Sequence, residues 1–206
     1  MPDSVASSNE TILVVGGGIS GISAALEAAE TDKQVILLEK NSYIGGRVSQ
    51  LHQCFPKRCS PDSAMEINQH RAKSNPNLTI LTMAEVTGIS GNTGNYNIQV
   101  NLKARYISND CTACGKCSDA VTAKFDNEFN YGLNTRKGAY IAYNHAYPQT
   151  YVLDPRIINT DDAAKAVNAC PVNAIDLDMQ DESIQLKAGA IIWATGWQPY
   201  DANKIQ

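Results

Sequence analysis

The stretch ILVVGGGISGISAAL, residues 12–26, limits what this chain can fold into more than any other. Residues 11–15 are a nearly continuous apolar run, the pattern of a strand buried on both faces of a parallel sheet. Gly16, Gly18 and Gly21 follow in G-x-G-x-x-G spacing, and Ile22, Ala25, Leu26 and Ala29 then recur at helical spacing. Residues 34–39 form a second apolar run that ends on Glu39. Strand, glycine turn, helix and strand predict one βαβ unit with a nucleotide site at the turn. Gly16 suits the tight turn, Gly18 lets the backbone approach a pyrophosphate, and Gly21 lets helix and strand pack. The helix start, with Ile19 and Ser20 in its first turn, offers unpaired N–H groups and a partial positive charge. Glu39 suits a ribose diol and disfavours a 2′-phosphate. The plain alternative is a glycine-rich turn without a ligand.

Farther along, residues 60–74 predict a helix, with Ser60 as cap, Pro61 at its first position and Asn75-Pro76-Asn77 ending it. Residues 78–83 and 96–102 predict strands, with a turn at 91–95. Residues 103–175 change texture, with cysteines, many tyrosines and few long apolar periods. Strand character returns at residue 184 and runs through 190–193 into Ala194-Thr195-Gly196. The expected class is α/β: a disordered start at 1–10, a Rossmann-like dinucleotide-binding part at 11–102, an insert at 103–178, and a return to the first domain at 179–206.

The insert carries CTACGKCSDAV. Cys111, Cys114 and Cys117 open the ferredoxin run C-x2-C-x2-C-x3-C-P, but Val121 stands at its fourth position. In two-cluster ferredoxins the last ligand comes from the other motif, before a proline. Cys170-Pro171 is such a pair, so the predicted ligands of one [4Fe–4S] cluster are Cys111, Cys114, Cys117 and Cys170. A second cluster would use Val121, Thr160, Ala163 and Ala166, and none of these is cysteine. The spacing therefore predicts a ferredoxin-like insert with one cluster kept and one site erased. Zinc also takes four thiolates, usually from two CxxC pairs, and remains the alternative. Backbone N–H groups at Thr112, Ala113 and Gly115 are expected to point at sulfur.

Cys54 and Cys59 flank Phe55, Pro56, Lys57 and Arg58. Their basic neighbours suit thiolate chemistry, which makes them candidate ligands or redox thiols; the alternative is ordinary half-buried cysteine. His52, His70 and His145 are isolated and read as surface or packing residues. No residue is singled out as a general acid or base.

The net charge of −4, without a long basic run, argues against nucleic acid or an anionic membrane as direct partner. No apolar stretch is long enough to cross a bilayer, and the polar start MPDSVASSNE lacks a signal-peptide core. The expected location is cytoplasmic, with any membrane association through partner subunits.

Gly45-Gly46-Arg47, soon after Glu39, resembles the glycine doublet of FAD-binding flavoproteins, and Ala194-Thr195-Gly196 resembles their ATG strand. Both favour FAD over NAD, and the resemblance puts Arg47 near the FAD phosphates. The candidate cofactor-binding set is Gly16, Gly18, Ile19, Ser20, Gly21, Glu39, Lys40, Gly45, Gly46, Arg47, Val86, Ala194, Thr195 and Gly196.

Taken together, ILVVGGGISGISAAL, LLEKNSYIGGRVSQL, CFPKRCSPDSAMEI, CTACGKC, DNEFNYGLNTRKGAYIAYNHAYPQTYVLDP, CPVNAIDLD and IIWATGWQPYD resemble the iron–sulfur flavoprotein family that holds the A subunit of heterodisulfide reductase and its relative QmoA. The resemblance implies an oxidoreductase subunit that passes electrons between FAD and a [4Fe–4S] cluster, with other iron–sulfur or membrane-bound subunits as partners. Family members continue beyond the ATG strand, so the FAD domain is expected to be incomplete at its C-terminal side. Ser63 stands where relatives carry a further cysteine. A cluster-binding docking module without flavin turnover, or a zinc-stabilised Rossmann domain, are the alternatives.

Overall fold

The computed structural model describes residues 5–198 and 200. The last residues of the IIWATGWQPYD motif, apart from Tyr200, lie outside them. The chain begins with β1 (Ile12–Val15), α1 (Ile19–Ala29), β2 (Val35–Glu39), α2 (Asp62–Ser74) and β3 (Leu78–Thr82). An antiparallel pair follows, β4 (Ala84–Asn92) and β5 (Asn95–Leu102). Then come α3 (Lys116–Ala120), β6 (Lys124–Asp126), β7 (Thr135–Lys137), β8 (Ala139–Tyr140), β9 (Val152–Leu153) and α4 (Asp161–Ala169). The chain returns through β10 (Glu182–Ala188) and β11 (Ala190–Trp193).

The parallel sheet has the order β11-β1-β2-β3. Successive strand residues point to opposite faces, and both faces are covered. Val14, Val35 and Leu37 pack against Ile22, Ala25 and Leu26 of α1 and Met65 of α2. Leu13, Ile36, Leu38 and Leu81 pack against Ile98, Val100 and Leu186 of the second sheet, ordered β10-β5-β4. Burial on both sides is why β1 and β2 read as unbroken apolar runs.

Two sequence expectations change. Residues 84–92 form a strand of their own, and the turn shrinks to Thr93 and Gly94. Gly88, Gly91 and the exposed polar residues hide the alternation; pairing with β5 and a bulge between Val86 and Gly88 supply what the pattern lacks. At the start, residues 1–4 lie outside the described residues, but Val5 packs on the core and Ser7 Oγ accepts the N–H of Lys187 at 3.0 Å. A polar segment is ordered here because it runs beside β10.

A third core gathers Ile107, Cys117, Val121, Ala139, Leu153, Ile157, Ala166 and Ala174, all from residues 103–178. Val121, Ala163 and Ala166 are at most 1% exposed. A side chain on Gly138 would meet Ile157 at 2.8 Å and Val121 at 3.3 Å, so the packing there is tight. This third unit is tied to the parallel sheet by Arg105, which donates to Thr150 O, Ser42 O and Thr82 Oγ1 at 3.2, 3.1 and 2.5 Å. Burial lowers the Arg105 guanidinium to about 10. Tyr43, Phe129 and Tyr143 form an aromatic triplet across the same junction.

Candidate cofactor sites

The glycine turn is built by close approaches that a side chain would block. Gly16 has φ +110°, and a Cβ there would strike the carbonyl oxygen of Ala194; a Cβ on Gly21 would strike the carbonyl oxygen of Gly16. Ala194 reaches this position because its N–H bonds Val15 O at 2.8 Å, continuing β11 beside β1. Gly18, just before α1, differs: a Cβ there would meet nothing within 4 Å. Its open side is the cradle that a pyrophosphate approach requires, at the end of a helix whose first N–H groups lack intrahelical partners.

The second glycine pair locks onto this turn. Gly45 donates to Gly17 O at 2.7 Å, and a Cβ on Gly46 would come within 2.9 Å of Gly18 Cα. Glu39 is 6% exposed and faces the turn. Its Oε2 accepts the N–H of Gly17 at 2.7 Å, and its Oε1 accepts both the backbone and side-chain N–H groups of Asn41 at 2.8 Å. Thus Gly16, Gly18, Gly21, Glu39, Gly45, Gly46 and Ala194 come together. Arg47 lies with the segment after Gly196: its Nε donates to Trp197 O at 3.0 Å and its guanidinium stacks 4.7 Å from the Trp197 ring centroid. Thr195, Lys40 and Ser20 are exposed, while Ile19 packs against the first core. Val86 packs instead against the core between the two sheets.

Cys111, Cys114, Cys117 and Cys170 line one pocket, with Ile107, Val172 and Ile175 as its apolar wall and Tyr151 at its side. Short local structures deliver them. The left-handed turns at Ala113 and Gly115 swing the loop, α3 carries Cys117, and the end of α4 presents Cys170. Ile107 and Ile175 pair across the pocket's base, and Ser108 N–H bonds Ala174 O at 2.8 Å, which brings the distant Cys170 segment to the first three cysteines. Backbone N–H groups point at sulfur: Ala113 to Cys111 Sγ at 3.4 Å and Ala174 to Cys170 Sγ at 3.3 Å. Burial pushes the Cys117 thiol up to about 11, whereas the N–H of Lys116 lowers Cys114. Among the described residues, no three His, Cys, Asp or Glu side chains converge on a single-ion site.

Cys54 and Cys59 lie elsewhere, facing each other across a small hairpin in which Cys54 N–H bonds Cys59 O at 2.8 Å. His52, His70 and His145 are exposed. Residues that carry no motif join the two sites. Tyr143 donates to Ile44 O at 3.2 Å, and Ile44 N–H bonds Tyr147 O at 2.9 Å. Burial pushes the Tyr143 hydroxyl up to about 12 and raises Tyr43 further. An aromatic-rich linker is a weak signal, and the sequence offers none for Arg105.

Residues 11–74 match the family model described as FAD dependent oxidoreductase. The chain is 35% identical to the A subunit of the ferredoxin:CoB-CoM heterodisulfide reductase of Methanosarcina acetivorans, over 93% of this chain and 25% of that protein. It is 36% identical to the iron-sulfur A subunit of the CoB–CoM heterodisulfide reductase of Methanocaldococcus jannaschii, over 98% of this chain and 31% of that protein. The chain therefore spans about a quarter to a third of the length of these relatives. A solved thioredoxin reductase from T. acidophilum is 23% identical, with a TM-score of 0.36, over 44% of this chain and 31% of that one. At that score the likeness carries no argument, and the fold assignment rests on residues 11–74 and the parallel sheet. Residues 11–74 and the parallel sheet give the chain a Rossmann-like α/β fold of the FAD dependent oxidoreductase kind, and over nearly its whole length it is similar to a part of the heterodisulfide reductase A subunits.

Proposed function

We propose that this chain is part of an oxidoreductase subunit that binds FAD at the glycine turn and one [4Fe–4S] cluster on Cys111, Cys114, Cys117 and Cys170. The observation that carries the reading is the single pocket shared by four cysteines from two distant stretches, with N–H groups aimed at sulfur. When bound, the flavin supplies paired- and single-electron exchange and the cluster supplies single-electron exchange. The protein positions and tunes. Gly18 and the start of α1 hold the pyrophosphate. Glu39, with three of about four acceptor positions filled, keeps one for a ribose hydroxyl. Arg47 balances phosphate charge. Ala113 and Ala174 stabilise thiolate charge through N–H···S contacts, and Ile107, Val172 and Ile175 exclude water. A ferredoxin-like insert at 103–178 would deliver electrons to partner subunits in the cytoplasm or at a membrane-attached complex.

The third cysteine at x2 spacing and the lone Cys170-Pro171 pair support a cluster over zinc, whose usual thiolate set is two CxxC pairs. Anaerobic purification with iron, zinc and flavin analysis tests the reading. The expected result is iron with inorganic sulfide, flavin absorbance, and loss of the cluster in Cys170→Ser but not in Val121→Cys. Zinc without iron would replace the cluster by a structural zinc site. Iron without flavin would leave a cluster-binding docking module.

A further inference from the structure

The proposed function leaves Cys54 and Cys59 without a task, and their geometry points to one. We propose that they form a reversible dithiol/disulfide couple that exchanges two electrons with thiols and disulfides outside the protein, independently of the flavin and the cluster. The two residues are directly opposed in an antiparallel bridge, closed by the Cys54 N–H to Cys59 O bond at 2.8 Å. Directly opposed residues of an antiparallel pair hold their Cα atoms about 4.5–5.5 Å apart. That lies within the range a disulfide spans, about 4.4–6.8 Å. The intervening residues are already folded back: Arg58 N–H bonds Cys54 O at 2.8 Å, and Arg58 takes a left-handed conformation at φ +53°. Forming the bond therefore costs little further chain ordering.

Access and charge fit the chemistry. Cys59 is exposed and Cys54 half-buried, so an external disulfide meets Cys59 first. Lys57 and Arg58 place two positive charges in the loop between them. The other four cysteines line a separate pocket, and among the described residues no third ligand joins this pair. In the exchange, the Cys59 thiolate attacks one sulfur of an external disulfide, the S–S bond breaks, and one external thiolate leaves. Cys54 then gives up its proton and attacks Cys59 Sγ, which expels the second external thiolate. One Cys54–Cys59 bond forms, the external disulfide is reduced by two electrons to two thiols, and the two protons from the cysteines end on those thiols. The reverse reaction returns two electrons to the pair.

The test uses the anaerobically purified protein, titrated with glutathione and its disulfide, acid-quenched and alkylated. In an aliquot taken before alkylation, the expected product is about 2 Da lighter than the reduced protein, the mass of two hydrogens. Trypsin cuts after Lys57 and Arg58, so the bridge should appear as peptides 48–57 and 59–71 joined by one disulfide. Alkylation of both cysteines should be lost together in one transition, while cluster absorbance stays constant. In Cys54→Ser, Cys59 should end as a glutathione adduct instead. Separate transitions at Cys54 and Cys59, each ending as an adduct with no 54–59 link, would overturn the proposal. So would a link that forms only as cluster absorbance is lost. The peptide readout stands apart from iron and flavin content, so failure here and failure of the cofactor reading are distinguishable.

Discussion

The carboxylate of Asp162, in the first turn of α4, accepts the backbone N–H of Ala123 at 2.7 Å. The same oxygen accepts the N–H of Thr122 at 2.8 Å, and Lys165 donates to the other at 2.8 Å. One side chain therefore pins the strand entry after Val121 to the helix that ends in Cys170. Asp162→Ala removes the acceptor and leaves two backbone donors without this partner. The expected outcome is a lower melting temperature and faster hydrogen exchange at Thr122 and Ala123, with the exchange of β1 and β2 little changed. Unaltered exchange at those two amides would show that the contact does not hold the unit.

Acid should act through the same region. Burial alone would raise the Asp154 carboxyl, but hydrogen bonds from Arg156 and Arg136 outweigh it and hold it at about 2. A depressed folded value means that the stabilisation is present above the ordinary carboxylate range, near 3.9. It is lost as pH falls from there toward about 2. Asp162 is shifted in the same direction, by the bonds from Lys165 and from the backbone at Ala123 and Thr122. Urea unfolding midpoints should therefore fall steeply over that window in the wild type. Asp154→Asn should be less stable at neutral pH and show a shallower slope.

The glycine turn separates folding from binding at two neighbouring positions. Gly16→Ala drives a Cβ into the Ala194 carbonyl at a φ of +110°, and should disrupt the β1–β11 edge and lower thermal stability markedly. Gly18→Ala meets no protein atom within 4 Å. It should keep the fold while weakening FAD binding by tenfold or more, about 1.4 kcal/mol. Melting curves and FAD titrations of the two variants check this, and equal behaviour would refute it.

The packed positions of the third core make a further prediction. Val121→Ala opens space beside Ile157 and Gly138 and should cost about 2 kcal/mol. Ala166→Cys adds volume to a site with no exposure and should cost about 1–3 kcal/mol. Iron content per chain should stay the same in both, as read by metal analysis beside urea unfolding.

The sequence is most legible where one local rule decides the outcome. The apolar runs around Val14 and Leu37, the glycine spacing and the Pro61 start of α2 each carry their own cause, and the structure follows them within a residue or two. Strand β4 escapes such a reading because its glycines and exposed polar residues carry no period, and its partner β5 supplies the order. A spacing rule joins Cys170 to Cys117, and the pocket brings them together. Glu39 suits a ribose by its position, but its carboxylate also braces the Gly17 N–H, a task that no spacing reveals. Arg105, Asp154 and Asp162 are illegible for another reason. Their partners lie far along the chain or in its backbone, and a lone charged residue does not announce them.

The pairing of Ile12 with Ala190 bears on the order of assembly. A ribosome releases β1 well before its neighbour β11, with the whole 103–178 segment between them. That segment has a core of its own and pairings that are local, so it can close early. Until β10 and β11 emerge, β5 and β1 each keep an open edge, which is the surface that misassociation exploits. The nascent chain is therefore most vulnerable after its cysteine pocket is complete and before its nucleotide turn is, since Gly16 waits for Ala194 to reach it.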